Sequence, residues 1–308
     1  MNHSIPQGFF KEEERCGHLV TAQTKKLWAI QIGCLQELDK VCQKHGLLYF
    51  ASGGTLLGAV RHKGYIPWDD DIDVVMFYDD YVRFCELAPK EISYPYFFQN
   101  FMTEPGFGPG MSRIRNSETT GCTQYDYAVA DGNYNCGIFI DIFPLFKIED
   151  RTVPLFFHKV KVQLWQWAIS GYEIHRMAIV NRWTLKRLLN PKLYWWLAVS
   201  LFANHVDLSK KYLNACAMAK SNKKIGLISF RGFNKRLIWN KEWFDEMVSL
   251  PFEFMELTCP KEYDPILRTQ YGDYMKFVKG GQIHTTVICD PDTPFKIKLA
   301  AEKKHQKK

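Results

Sequence analysis

The sequence predicts an α/β (α+β) fold, a mixed sheet flanked by helices and carrying a helical insertion. Three observations predict it. Short β-type runs bounded by Gly, Pro or Asn alternate with amphipathic stretches up to about residue 150. Residues 154–224, rich in Trp, Lys and Arg, then read as mostly helix. Strand and helix signals resume after that and run into a basic tail with Lys303, Lys304, Lys307 and Lys308. On this reading residues 1–150 form a core, 151–235 an insertion, and 236–308 a segment whose strand and helix complete the core.

The first element is a helix over residues 27–42, where Leu27, Ile30, Cys34, Leu38 and Val41 share one face and Gly46 stops it. Residues 47–50 read as a short buried strand leading into Ser52-Gly53-Gly54. Residues 55–62 read as a helix ended by Gly64 and Pro67. A strand follows over 73–77, then a helix over 80–90 opened by an Asp cap. Further strands are expected at 95–101, 111–116 and 137–143. The helical stretch breaks at Gly171, at Pro191 and around Asp207. A strand at 252–257 and a helix at 263–275 come next, with loop beyond.

With 308 residues the chain buries an ample core as one large domain or two small ones. Its net charge of +7 fits phosphate-bearing substrates or an anionic membrane surface. The nine cysteines are scattered, odd in number and never spaced Cys-x-x-Cys, which argues for buried thiols such as Cys34 and Cys42, a reducing compartment and no structural zinc. Around Lys11, Glu12, Glu13, Glu14 and Arg15 there is no apolar core of a signal peptide. The longest apolar stretch, 193–203, is well short of the roughly 20 residues that cross a bilayer. The expectation is a soluble, cytoplasmic chain, at most resting on a membrane surface. The basic residues are spread and form no aromatic-plus-basic strand motif, so nucleic acid is not the expected partner.

The densest chemistry lies between residues 53 and 76. Gly53-Gly54 between a strand and a helix lets backbone approach a phosphate, and the helix start offers free N–H groups. Arg61 and Lys63 stand at the far end of that helix, as phosphate partners or as dipole partners of the C-terminus. Asp69-Asp70-Asp71-Ile72-Asp73 follows. Side chains two apart on a strand share a face, so Asp71 and Asp73 project together and repel unless a cation lies between them. Asp69 and Asp70 read as outer groups or loop caps. In Gly137-Ile138-Phe139-Ile140-Asp141-Ile142-Phe143 a lone Asp sits in an apolar run, costly to bury without a partner. It is explained if Asp141 meets the same metal or takes a proton from an attacking hydroxyl. Arg113 and Arg115 share a strand face and bind phosphate or face solvent.

Gly53-Gly54, Asp71-Ile72-Asp73 and a third strand Asp resemble the nucleotidyltransferase fold. The longer strings Gly54-Thr55-Leu56-Leu57-Gly58-Ala59-Val60-Arg61 and Ile66-Pro67-Trp68-Asp69-Asp70-Asp71-Ile72-Asp73 resemble the LicD family, to which fukutin-type transferases are related. Phe252-Glu253-Phe254, Tyr263-Asp264 and Tyr271-Gly272-Asp273-Tyr274 are similar to it too. The resemblance implies a metal-dependent phosphotransferase. Mg²⁺, with Mn²⁺ as the alternative ion, would be held by Asp71, Asp73 and Asp141, which form the catalytic set. A donor such as CDP-choline would lie over Gly53, Gly54 and Thr55, served by Arg61, Lys63, Asp70, Arg113 and Arg115, and the family pattern puts His284 near the site. The acceptor would be a hydroxyl of a cell-surface glycan or its lipid-linked precursor, as in lipopolysaccharide or teichoic acid modification. Transfer of sugar-1-phosphate or polyol phosphate is the alternative. A non-catalytic nucleotide- or glycan-binding module is the alternative of another class, which the full set of three carboxylates opposes. Choline calls for an aromatic or acidic cage, for which Tyr125, Tyr127 and Tyr134 are candidates. In the insertion, Arg182, Lys186, Arg187 and Lys192 mingle with Trp and Leu, either as the basic face of a packed helical layer or as an interfacial surface for anionic lipid.

Overall fold

A hairpin of β1 (Glu13–Arg15) and β2 (His18–Val20) leads into α1 (Ala22–His45) in the computed structural model, which describes residues 5–104, 106–129, 134–181, 185–229, 232–278 and 286–305. Thr21 caps α1 by accepting from the Thr24 N–H at 3.2 Å, and Gly46 closes it in the left-handed region at φ 63°. There follow β3 (Phe50–Ala51), α2 (Gly53–His62), β4 (Asp73–Phe77), α3 (Tyr78–Glu91), β5 (Tyr96–Gln99), β6 (Ser112–Asn116), β7 (Thr120–Thr123), α4 (Gln124–Val129) and β8 (Ile138–Ile148). The helical layer is α5 (Thr152–Asn181), α6 (Leu185–Leu188), α7 (Pro191–Ser200) and α8 (His205–Cys216). The chain continues through β9 (Lys224–Ser229), β10 (Gly232–Asn240), β11 (Met247–Phe252), β12 (Met255–Pro260), α9 (Tyr263–Tyr271), β13 (Thr286–Asp290) and α10 (Phe295–His305).

A seven-stranded mixed sheet organises these elements. Its main path runs β10-β9-β8-β4-β3, and β6 pairs with both β5 and the first half of β8. Among the described residues of this sheet, β4 and β8 alone pair in parallel. Val74, Val75, Met76, Ile140 and Ile142 are all buried, as a parallel pair covered on both faces requires. One core joins α1, α2 and α3 to this sheet and to the β11–β12 hairpin through Trp28, Leu35, Phe84, Val74 and Phe252. A second core packs Val162 and Ile169 of α5 and Leu208 and Tyr212 of α8 on Phe146, Ile148 and Ile228. The expected mixed sheet with flanking helices is what forms, and the helical layer rests on the far end of β8.

Several elements differ from expectation for local reasons. No Asp caps α3: β4 runs straight into it at Phe77, and the Asp80 carboxylate accepts from the Leu48 N–H instead. Gly171 does not break α5, because its bare Cα is where α7 closes in through the Lys192 carbonyl and the Trp196 Cβ. The chain returns to strand at Lys224 rather than at 252, since β9 and β10 extend the sheet beyond β8. Residues 286–305, expected as loop, form β13 against β7 and then α10.

Candidate active site

Three charged side chains stand in one row across the sheet. Asp141 on β8 is register partner of Asp73 on β4 on one side and of Arg113 on β6 on the other. The Arg113 Nε donates to Asp141 Oδ1 at 2.7 Å, and its second arm reaches Asp126 of α4 at 3.2 Å. Arg115, fully buried, donates to the same Asp126 oxygen at 2.9 Å and to the carbonyls of Gly121 and Gly137. Both guanidinium groups lie over the Phe139 ring. Burial opposes the charge on Asp126, but Arg115 and Arg113 outweigh it and hold this carboxyl below its usual range. The apolar strand thus carries its lone Asp because a cation from the neighbouring strand meets it.

Asp73 is set by α2. The Thr55 hydroxyl accepts from the Asp73 N–H at 2.8 Å, so the first turn of that helix fixes where β4 starts. Gly53 has φ +56°, and a Cβ there would lie 3.2 Å from Asp73 Oδ2; a Cβ on Gly54 would strike Asp69 Oδ2. The paired glycines therefore exist to let two carboxylates lie over the helix start. Ser52 makes no side-chain cap on α2.

The acidic loop ahead of β4 is braced from α1. Trp28 Nε1 donates to the Asp69 carbonyl at 3.0 Å, and the Gln31 amide donates to the Asp70 carbonyl at 2.7 Å. Tyr65 stacks on Trp28 at 4.5 Å and donates to Gln31 Oε1 at 2.9 Å. Glu253 in the β11–β12 turn accepts from the Tyr65 N–H and takes both arms of Arg15. So held, Asp69, Asp70 and Asp71 bring one carboxylate oxygen each within 4.8 Å of one another. Burial and the charges of Asp71 and Asp70 push the Asp69 carboxyl up to about 8. A crowded trio built of carboxylate oxygen alone fits a hard divalent cation such as Mg²⁺ or Mn²⁺.

Among the described residues the grouping differs from the expected trio. Asp71 clusters with Asp69 and Asp70, Asp73 leans over Gly53, and Asp141 is engaged by Arg113.

A cleft of about 560 Å³ opens over this ground. Gly53, Gly54, Asp69, Asp71 and Asp73 form its floor, with Arg61, Arg236 and Lys276 as its cations. Tyr271 closes one side; burial and then the charges of Asp73, Asp69 and Asp71 push its phenol well above the usual range. Asp73 and Gly53 are shared with a second chamber of about 260 Å³ between the sheet and the helical layer. Its walls are mostly apolar, with Met111, Phe143, Tyr212, Leu227, Ile228 and Leu237.

Not every expected residue joins the cleft. Lys63 is exposed, and its backbone caps α2 at φ 55°. Arg115 is walled in by Gln99, Asp126 and two carbonyls, so the expected open arginine face is instead a buried ion-pair network. Tyr134 belongs to a separate core, against which Tyr125 and Tyr127 pack, and none of the three lines the chamber. His284 lies outside the described residues. Trp28, Gln31, Asp126 and Tyr271 received no role from the sequence. Asp126 left one signal: Thr123 and Asp126 cap each other reciprocally at 3.2 Å, a spacing readable as a helix start.

A mixed sheet that carries a Gly-Gly helix start beside register-matched carboxylates is consistent with a nucleotidyltransferase-like fold. The chain belongs to the LicD family. Residues 46–168 match the LicD/FKTN/FKRP nucleotidyltransferase domain. Over 265 residues the chain is 30% identical to the lipopolysaccharide cholinephosphotransferase LicD of Haemophilus influenzae, covering 80% of this chain and 90% of that one. An uncharacterised Rickettsia typhi protein is 37% identical over 62 residues, a span of 20% of either chain. The human ribitol 5-phosphate transferase FKRP is 29% identical over 124 residues, 36% of this chain and 25% of FKRP.

Proposed function

We propose that this protein transfers phosphocholine from a CDP-activated donor to a hydroxyl of a glycan, free or lipid-linked. The observation that carries the reading is the in-register pair Asp73 and Asp141 beside the uncapped Gly53-Gly54 helix start. The relatives named as cholinephosphotransferase and ribitol 5-phosphate transferase support the reaction class.

In this reading the donor phosphates lie over the first turn of α2, and Arg61, Arg236 and Lys276 offset their charge. Asp71 and Asp73, with Asp69 and Asp70 adjoining, hold a divalent cation, which when bound neutralises charge on the phosphoryl oxygens and the departing nucleotide. Asp141, oriented by Arg113, accepts the proton of the attacking hydroxyl. Lining up donor and acceptor supplies much of the rate.

The chamber favours choline over a polyol. A trimethylammonium group suits apolar and aromatic walls with a carboxylate at the rim, whereas the hydroxyls of ribitol would lose water there without partners. A thermal-shift screen of CDP-choline, CDP-ribitol, CDP-glycerol and nucleotide sugars with Mg²⁺ tests this. CDP-choline should stabilise most, and the effect should vanish with EDTA and in Asp71→Asn. Selective stabilisation by a polyol or sugar donor would replace phosphocholine with that group, and Mg²⁺-independent stabilisation would remove the metal from the reading.

A further inference from the structure

The outward side of α5 is as apolar as its buried side. Val153, Phe156, Phe157, Val160, Leu164 and Trp167 recur at helical spacing along it, all exposed; Phe156 is 61% and Phe157 62% accessible. The opposite side, with Val162 and Ile169, is what packs on the second core. The helix therefore has two apolar faces and a partner for one. The neighbouring α7 extends the open face: Trp195 Nε1 donates to the Leu164 carbonyl at 2.9 Å, tying the helices together, and Tyr194, Leu197, Leu201 and Phe202 are exposed beyond it.

Charge says what covers this face. Residues 151–204 hold eight Lys or Arg and one acidic residue, Glu173, a surplus equal to the +7 of the whole chain. At 100° per residue, Lys159 and Lys161 fall on opposite flanks of the apolar stripe, and both are exposed. Lysine stems flanking an apolar stripe, with Trp and Tyr at its border, match the headgroup boundary of a bilayer. A second copy of the chain would bring like charge against like. Among the described residues no helix is long and apolar enough to cross a membrane, so the face lies on a surface rather than spanning it.

We infer that the outward face of α5 and α7 is a docking surface for an anionic phospholipid bilayer. Flotation of the full chain with phosphatidylglycerol–phosphatidylcholine vesicles and with pure phosphatidylcholine vesicles tests it. Binding should be at least about tenfold tighter to the anionic vesicles and should weaken with added salt. The Phe156→Ser/Phe157→Ser double variant and the Lys159→Glu/Lys161→Glu double variant should each lose about tenfold or more while keeping the wild-type circular dichroism and melting temperature, since all four side chains are exposed. Failure to bind anionic vesicles, or binding indifferent to both variants, would overturn the inference. So would a concentration-dependent dimer, seen by sedimentation velocity and abolished by Phe156→Ser/Phe157→Ser, which would give the face to a second copy of the chain.

Discussion

Arg113 and Asp141 face each other across the β6–β8 ladder, 2.7 Å apart, with Asp73 the next residue along the same row. The guanidinium does not approach from solvent; it is locked from behind by Asp126. Orientation of the Asp141 carboxylate is thereby built into the sheet register and into one short helix.

Removing that lock should act on shape and on activity together. Asp126→Ala leaves Arg115 a buried charge without a carboxylate and Arg113 with Asp141 alone, and breaking a buried pair costs about 3–5 kcal/mol. Chemical denaturation should record a loss of that size. In contrast Arg113→Lys keeps a charge but not the forked geometry, and should lower turnover more than melting temperature. Wild-type turnover in Arg113→Lys would separate Asp141 from its proposed role.

Asp71→Asn and Asp73→Asn should each reduce transfer by at least about a hundredfold. Circular dichroism should remain that of the wild type, because neither side chain belongs to an apolar core. Near-normal turnover in either variant would sink the placement of the reaction centre.

Gly53→Ala and Gly54→Ala test the floor of the cleft. The first forces a side chain into the left-handed region beside Asp73, a strain of about 1–2 kcal/mol, and the second drives a methyl into Asp69. Donor binding, followed by titration calorimetry, should weaken in both. Gly46→Ala, also left-handed but with open space around its Cβ, should destabilise without touching donor affinity.

Glu173 gives a pH signature. Burial pushes its carboxyl from an ordinary 4.5 up to about 7. Between those values the unfolded chain has lost the proton that the folded chain retains, so this group's contribution to stability falls as pH rises through that window. Glu173→Gln should raise the melting temperature at pH 8, a gain on the order of 2 kcal/mol, and leave it unchanged at pH 4. An equal effect at both pH values would show that ionisation is not the cause.

The sequence was most readable where local pattern and chemistry coincided. Gly46 stopping α1, Asp73 opening β4 and Gly53-Gly54 opening α2 were all legible because each depends on backbone geometry that few residues allow. What escaped depends on distance along the chain. Asp126 meets Arg113 from 13 residues away and Trp28 holds the Asp69 carbonyl from 41 away, and no spacing rule connects such pairs. The strands β9 and β10 escaped for another reason: β9 is a short Ile-Gly-Leu-Ile run beside lysines, and its pairing with β8 is non-local. Gly171 misled because a glycine that ends a helix and one that admits a neighbouring helix look alike in sequence.

The length of β8 has a mechanical meaning. It is one unbroken strand of eleven residues, with Asp141 near its start and Ile148, embedded in the core beneath α5, at its end. At roughly 3.3 Å per residue the two points lie about 23 Å apart along a rod that every neighbouring strand stiffens. Such a rod is a spacer: the carboxylate row and the helical layer are held at a fixed separation, and neither shifts along β8 without breaking the pairing of its neighbours.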